Sequence, residues 1–122
     1  MAKVFLDANI LLDLLEKRTE ISAEMFKEHD LFISTLSVHI VFYITKQKIP
    51  YIKLSQIIDT FSLITLSESI CSQGLVGPIS DFEDNVQLHS AASFDCDYFL
   101  TRDRKLLDMK FFGKAKIVSS LE

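Results

Sequence analysis

The sequence predicts an α/β domain built on a central parallel sheet of about four to five short strands, with helices on both faces of that sheet. Short apolar segments alternate along the chain with longer segments whose apolar residues follow a helical period. No repeat, low-complexity tract or linker interrupts the alternation. The chain has 122 residues and is 48% hydrophobic, which suits one unit with its own core. We therefore expect a single domain over residues 1–122.

The apolar pattern assigns the expected elements in order. We expect strands at residues 3–6, 31–34, 62–66, 98–100 and 115–119, the last of them at a sheet edge. We expect helices at residues 8–16, 21–29, 35–46, 51–61, 68–73, 80–93 and 104–109. In the first helix, Ala8, Leu11 and Leu15 share an apolar face, and Asp13 is expected on the opposite, polar face.

Charge and cysteine content restrict the classes of function. The formal net charge is -4, so binding to a polyanion requires a local basic patch or bound cations. The two cysteines, Cys71 and Cys96, form no Cys-x-x-Cys motif and are expected to pack in the core as reduced thiols. We see no signal peptide and no apolar segment long enough to cross a bilayer. The sequence therefore predicts a soluble cytoplasmic protein without a membrane partner.

Acidic residues follow the predicted strands at the places where an α/β sheet carries its functional site. Asp7 comes directly after the first strand, Asp103 comes shortly after the fourth, and Asp84 lies in the segment that opens the long helix. A doubly wound sheet brings the carboxyl ends of its strands to one edge. Clustered carboxylates repel one another unless a cation lies between them, and Mg²⁺ and Mn²⁺ prefer such oxygen ligands. The pattern therefore favours metal-assisted hydrolysis of phosphodiester bonds.

Taken one at a time, these acids have a simpler interpretation as helix caps. Asp7 and Asp103 each precede a helix and can accept hydrogen bonds from its first backbone N–H groups. Ser80 and Glu83 fit the Ser-x-x-Glu capping box of the long helix. Asp84 is the acid that capping explains least, because the capping box already uses its neighbour. The functional interpretation therefore depends on the whole set.

Four segments together resemble a known family. They are VFLDANILLDLL, FISTLSVHIVFYI, DFEDNVQLHSAA and DYFLTRDRKLL, in this order. The chain closely resembles PIN domains of the VapC-like type, the ribonuclease toxins of toxin–antitoxin pairs. It is most similar to the branch with an Asp-x-Asn start and an Asp-Phe-Glu-Asp segment. The resemblance extends from about Val4 to Ile117 and implies a PIN-like fold over nearly the full length.

The resemblance implies an endoribonuclease that depends on Mg²⁺ or Mn²⁺. It assigns the catalytic and metal-binding roles to Asp7, Asp84 and Asp103. It suggests accessory roles for Asn9, Asp81 and Thr101. It also implies an RNA substrate, an antitoxin protein as partner, and a homodimer.

The chain departs from the family pattern at two positions. Ala8 stands where many members have Thr or Ser, so one hydroxyl is lost. Ile40 stands where many PIN domains have a Glu, although the branch that this chain most resembles often lacks that Glu too. His39, next to it, would supply a ligand or a phosphate contact if the register slips by one residue. The alternative for His39 is a partly buried residue that is hydrogen-bonded to a neighbour.

Two groups of side chains are candidates for binding partners. Three basic residues beside the predicted acidic edge could hold RNA phosphates, although a solvated face is the usual meaning of such a group: Arg102, Arg104 and Lys105. Four aromatic residues lie on strongly apolar helices, and we expect most in the core and some at a homodimer or antitoxin surface: Phe42, Tyr43, Tyr51 and Phe61.

Two other functions compete with the nuclease. A PIN-like module that binds RNA or a partner without cutting it would account for the missing Glu at Ile40. A phosphatase or a phospho-receiver domain also places an Asp after its first strand, as Asp7 is placed here. The usual second acid is absent in that region, where Asn9 lies, and we find no convincing late lysine motif.

Overall fold

The computed structural model describes residues 1–16 and 27–121. The helix expected at residues 21–29 lies largely outside the described residues. Within the described part of the chain, no helix has both the length and the apolar character needed to span a membrane.

Most of the predicted elements are confirmed within one or two residues of their expected bounds. The strands are β1 (Lys3–Leu6), β2 (Asp30–Ser34), β3 (Ser62–Ile64), β4 (Tyr98–Leu100), β5 (Phe111–Phe112) and β6 (Ala115–Val118). The helices of the described residues are α1 (Ala8–Glu16), α2 (Thr35–Thr45), α3 (Ile52–Ile58), α4 (Glu68–Gly74), α5 (Phe82–Ser93) and α6 (Arg104–Met109).

The strand order places a switch point at the centre of the sheet. The order is β3-β2-β1-β4-β6-β5, and all neighbouring strands are parallel except β5 and β6. The chain runs outward from β1 through β2 to β3 and then returns to β4 on the other side of β1. In open α/β sheets a ligand site forms outside the carboxyl ends of the strands at such a point. The turns after β1 and β4 are therefore neighbours.

The sheet separates two apolar layers, as the predicted alternation requires. Phe5 packs with α4, α5 and α6 on one face, whereas its neighbours Val4 and Leu6 pack with α1, α2 and α3 on the other. All three side chains are fully buried. The Phe5 ring stacks on Phe99 of β4 with ring centroids 5.2 Å apart. This packing fixes the register between the two strands that carry the candidate site.

The prediction for the last strand was wrong in one respect. The segment Ala115–Val118 lies between β4 and β5, and the edge strand is the short Phe111–Phe112, which the apolar pattern did not reveal. A two-residue turn joins these strands, and Gly113 has a φ of 59° there. A Cβ at Gly113 would lie 3.2 Å from the Cβ of Ala92. The turn glycine was thus the signal for a hairpin.

The start of the long helix also differs from the prediction. The helix begins at Phe82, and Asp81 is its N-cap residue. Oδ1 of Asp81 accepts a hydrogen bond from the backbone N–H of Asp84 at 3.0 Å. The predicted capping box of Ser80 and Glu83 is therefore wrong, because a carboxylate one residue later already satisfies the free N–H group.

Candidate active site

The parallel pairing of β1 with β4 brings the first candidate acid against a threonine. Leu6 is paired with Leu100, and the backbone N–H of Asp7 continues the ladder by donating to the Leu100 carbonyl at 3.1 Å. The next residue of each strand is then Asp7 on one side and Thr101 on the other. Oγ1 of Thr101 donates a hydrogen bond to Oδ2 of Asp7, and both residues are buried.

Asp7 is both a helix cap and a buried acid. Its Oδ1 accepts a hydrogen bond from the backbone N–H of Ile10 at 3.0 Å, in the first turn of α1. Burial raises the pKa of Asp7 above its ordinary value. Hydrogen bonds from Thr101 and from the N–H groups of Ile10 and Asn9 oppose that rise, while the charge of Asp103 adds to it. The capping interpretation is confirmed, and it does not exclude a functional role.

Asp103 is linked to Asp7 through the same threonine hydroxyl. The backbone N–H of Asp103 donates to Oγ1 of Thr101 at 3.0 Å. Asp103 also caps α6, because its Oδ1 accepts from the N–H of Lys105 at 2.8 Å. Thr101 therefore donates to one candidate acid and accepts from the backbone of the other. This arrangement fixes the two turns after β1 and β4 to each other.

Asp84 comes to the same edge from the other helical layer. Its pKa is raised from 3.8 to about 6, first by burial and then by the negative charges of Asp81, Asp103 and Asp7. The positive charge of Lys105 lowers it. Carboxylates influence one another in this way only when they lie close together. The charges of Asp81, Asp103 and Asp7 thus act on Asp84, so the acids that the sequence singled out lie at the same edge of the sheet without forming a closed cluster in the described residues.

Comparisons with known proteins agree with this architecture. No protein-family model matches the sequence, and no curated protein matches it. One similar structure is a chain in the crystal structure of VapBC2 from Rickettsia felis bound to a DNA fragment from their promoter. Its TM-score is 0.71 and its sequence identity is 15%. The match covers 95% of this chain and 97% of that one. A solved protein from Pyrobaculum aerophilum is similar with a TM-score of 0.60 and 16% identity, over 93% of this chain and 89% of that one.

The chain has a PIN/VapC-like fold. At these identities the likeness concerns the fold alone. The topology also excludes a phospho-receiver domain, in which the first strand lies beside the third. In this chain β1 lies between β2 and β4.

The chemistry of the acids in this PIN-like fold suits a hard divalent cation. Carboxylate oxygens are the ligands that Mg²⁺ and Mn²⁺ prefer. Burial raises the pKa of Asp84 most, and a cation would relieve the repulsion from neighbouring acids that adds to this rise. In the described residues, no group of three or more His, Cys, Asp or Glu side chains is already arranged to hold a metal ion. The fit therefore concerns the type and charge of the donors, and the metal role of Asp7, Asp84 and Asp103 stays a prediction.

The helix that follows β2 contributes no acid to this edge. Ile40 is apolar and half-buried on α2. His39 is exposed on α2, so its interpretation as a partly buried residue is wrong. Its alternative role as a ligand stays a prediction. Asn9 is also exposed, and its backbone N–H, rather than its side chain, reaches the carboxylate of Asp7.

Arg102 differs from the other two basic residues predicted to bind RNA. It forms an ion pair with Asp13 of α1, whose side chain is 6% exposed, whereas the Arg102 side chain is 54% exposed. Asp13 was expected on a polar face and is buried instead. Its partner Arg102 comes from the turn between β4 and α6. Arg104 and Lys105 are exposed beside the acids. The positive charges of Arg104 and Lys105 are therefore more available to an RNA phosphate than that of Arg102, which Asp13 partly neutralises.

Two buried polar residues on α5 were missed by the sequence analysis. Oε1 of Gln87 accepts hydrogen bonds from the N–H of Ala8 at 2.9 Å and from Oγ of Ser37 at 3.3 Å. Asn85 holds the loop after α4, since its side chain bonds the Gly74 carbonyl and both the N–H and the carbonyl of Ile79. For Asn85 the available signal was the helical period of α5, which places this amide beside Phe82 and Leu88. Gln87 gave no such signal, because Glu83, Asp84 and Ser90 are its neighbours at helical spacing.

Proposed function

We propose that this protein is a metal-dependent endoribonuclease that hydrolyses RNA phosphodiester bonds, and that it is the toxin of a toxin–antitoxin pair. The observation that supports the proposal is that the Thr101 hydroxyl links Asp7 to the backbone of Asp103 at the carboxyl edge of a PIN/VapC-like sheet, where the charges of both acids also act on Asp84. If these acids served only to cap helices, they would have no need to lie at the same edge of the sheet. Acids that meet at a switch point are the usual arrangement of a ligand or metal site in this class of sheet.

In this proposal the three carboxylates hold Mg²⁺ or Mn²⁺. A metal held there would supply a bound water of lowered pKa and would neutralise charge on the phosphate. The chain's own groups prepare the acids: Thr101 orients the Asp7 carboxylate, and the cap at Asp81 fixes the backbone of Asp84. Because the pKa of Asp84 is raised to about 6, metal binding must displace a proton from it in mildly acidic solution.

RNA would reach the metal along the side of the site that carries Arg104 and Lys105. Both are exposed, and Lys105 is close enough to Asp84 to lower its pKa. Two cations beside a cluster of acids let a protein with a net charge of -4 approach a polyanion. Arg102, already paired with Asp13, would contribute mainly to the structure of the turn.

Exposed apolar side chains support the proposal that this protein has a surface for binding a protein partner. Tyr43, Ile44, Ile49 and Ile52 lie on and between α2 and α3 and are 49–77% exposed. Exposed apolar groups that lie close together are typical of protein interfaces. We propose an antitoxin and a second copy of this chain as partners, and the similar VapBC2 chain supports the first of these. The unpaired thiols of Cys71 and Cys96 are compatible with the cytoplasm.

The decisive experiment is the cleavage of a mixed RNA pool by the purified protein. It is run with Mn²⁺ or Mg²⁺, with EDTA, and with the variants Asp84→Asn and Glu83→Gln. Glu83 is the matched control, because it is an exposed acid in the same helical turn. We expect cleavage by the wild type and by Glu83→Gln, and none by Asp84→Asn or with EDTA. Cleavage that survives in Asp84→Asn would overturn the proposal.

A second candidate function is a PIN-like module that binds RNA without cutting it. It is favoured by the apolar Ile40 and by the lack, in the described residues, of a group of three or more acids or other ligands arranged for a metal. In the same assay this function predicts tight RNA binding that EDTA does not change, with no cleavage under any condition.

A further inference from the structure

Gln87 is a buried polar side chain that links three helices. It lies on α5 and is 4% exposed. Its single carboxamide oxygen accepts from the N–H of Ala8 on α1 at 2.9 Å and from the hydroxyl of Ser37 on α2 at 3.3 Å. Since α5 packs on one face of the sheet and α1 and α2 on the other, these bonds form beyond the ends of the strands. They lie at the edge that carries the candidate acids.

Gln87 and Asp7 together cap the start of α1. The first N–H groups of a helix have no partner within the helix. The carboxylate of Asp7 takes the N–H of Ile10, and Gln87 takes the N–H of Ala8. The Ala8 amide belongs to the peptide group that joins it to Asp7. Gln87 therefore holds the backbone at the first candidate acid from outside its own helix.

The same side chain is rigidly connected to the second acid. Gln87 follows Asp84 by three residues on α5, and residues at this spacing lie on the same side of a helix. One helical turn and one hydrogen bond thus connect the backbone at Asp7 to the helix that carries Asp84. An error of about 1 Å in the placement of reacting groups can cost about a hundredfold in rate.

Ser37 brings α2 into the same network. It is fully buried and precedes Ile40 by three residues, so both lie on one side of α2. At Ile40 this helix offers no carboxylate to the edge. Its hydroxyl at Ser37 instead bonds the oxygen that holds Ala8. The helix thus supports the acids through Gln87.

We propose that Gln87 is a positioning residue of the site: its carboxamide oxygen sets the turn at Asp7 against the helix that carries Asp84. The inference rests on the proposed nuclease function for its effect on rate. The hydrogen bond itself and its effect on metal affinity can be measured without RNA. Residues that hold metal ligands in place typically change affinity or activity by about 10- to 100-fold when they are replaced.

The test compares Gln87→Met, which removes the acceptor at similar volume, with Gln87→Glu, which keeps an oxygen acceptor. Gln73→Met is the matched control, because Gln73 is exposed and makes no part of this network. Amide hydrogen exchange is measured by NMR at Ala8, with the N–H of Leu11, bonded to the Asp7 carbonyl, as internal reference. Mn²⁺ affinity is measured by calorimetry, and kcat and KM are measured on RNA.

We expect Gln87→Met to speed exchange at Ala8 at least about tenfold relative to Leu11, and to weaken Mn²⁺ binding and lower kcat by about 10- to 100-fold at constant KM. Gln87→Glu, which keeps the acceptor oxygen, should retain the slow exchange at Ala8, and the Gln73 variant should match the wild type in all three measurements. If exchange speeds up while Mn²⁺ affinity and kcat stay unchanged, Gln87 is only a core residue and the proposal fails. Unchanged exchange at Ala8 also overturns it.

The proposal can fail separately from the nuclease function. If the wild type binds Mn²⁺ but cuts no RNA, the nuclease proposal fails, and a loss of Mn²⁺ affinity in Gln87→Met still supports the positioning role. If the wild type binds no Mn²⁺, both proposals fail. Should Gln87→Met not fold, a tenfold loss of protection at Ala8 in Gln87→Glu would contradict the inference, and retained protection would support it.

Discussion

Replacing Asp84 by Asn should stabilise the metal-free protein near neutral pH. The pKa of Asp84 is 3.8 in an unperturbed carboxyl and about 6 in the folded chain. The folded protein therefore holds this proton more tightly than the unfolded chain does. This tighter binding of the proton adds to the free energy of unfolding. The contribution is complete below the pKa that Asp84 has in the unfolded chain, and it is lost as the pH rises through about 6. Asparagine has no charge to acquire, so the variant avoids this loss.

The size of the effect follows from the change in pKa. A rise from 3.8 to about 6 corresponds at full strength to about 3 kcal/mol. Asp84 is half-buried, and solvent screens the charges of its neighbours, so we expect about 1 kcal/mol. The helix dipole favours a negative charge in the first turn of α5 and reduces the gain by a few tenths of a kcal/mol. For a chain of this length, about 1 kcal/mol raises the Tm by roughly 4 °C.

The assay is urea unfolding of wild type, Asp84→Asn and Glu83→Gln in EDTA at about pH 4 and about pH 7.5. Glu83 shares the helix dipole but is exposed, so Glu83→Gln reports the dipole contribution alone. We expect the gain from Asp84→Asn at the higher pH and almost none at the lower. A variant that is less stable than the wild type at both pH values would refute the argument that Asp84 lies among repelling charges.

Saturating Mn²⁺ should reverse the order of stability. An ion that binds only the folded wild type adds about 2.7 kcal/mol at a hundred times its Kd. Asp84→Asn lacks one proposed ligand and should gain much less. The same unfolding curves, repeated with Mn²⁺ in place of EDTA, check this outcome. Equal stabilisation of the two proteins would place the ion elsewhere.

Three further substitutions test the supports of the site. Thr101→Val removes the hydroxyl that donates to Asp7, and it should cost about 1–3 kcal/mol in urea unfolding, with a smaller loss in Thr101→Ser. Arg102→Gln leaves the buried Asp13 without its partner in this turn, so it should lower stability by about 1–3 kcal/mol, and adding Asp13→Asn should recover part of that loss. Asn85→Ala should cost about 2–4 kcal/mol by calorimetry, because the loop after α4 loses its bonds to that amide.

Each of these results has a clear contrary outcome. A neutral Thr101→Val would mean that the hydroxyl between the two turns adds no net stability. If Arg102→Gln weakened RNA binding as much as Lys105→Gln but left stability unchanged, the ion pair with Asp13 would be absent in solution. An Asn85→Ala protein as stable as the wild type would show that water replaces the lost bonds.

The sheet and the positions of the acids could be predicted because they depend on local patterns. Short apolar strands, helical periods and acids directly after strands are all readable within a few residues, and Asp7, Asp84 and Asp103 were found in this way. Their meeting depends on the strand order, which no local pattern in the sequence shows. The two-residue strand at Phe111–Phe112 is too short for an apolar period, and only the glycine after it gives a signal.

The buried polar residues could not be predicted for a different reason. Asp13 and Gln87 occupy helical positions that look solvent-facing in sequence, and each is buried by a segment far away along the chain. Arg102 pairs with Asp13 although 89 positions separate them in sequence, and Gln87 bonds Ala8 although 79 positions separate them. A helical period reports which face of a helix is apolar. It carries no information about a polar partner that the fold brings to the same face.

The strand order has a consequence for when the acidic edge is assembled during synthesis of the chain. The ribosome releases β1 first, but the neighbour that completes its environment at the acidic edge is β4, near the other end of the chain. Until β4 emerges and docks, Asp7 lacks the Thr101 hydroxyl, and Asp103 has not been made. Domains generally fold as units during synthesis. The acidic edge is therefore completed only after β4 has left the ribosome, however early β1 folds.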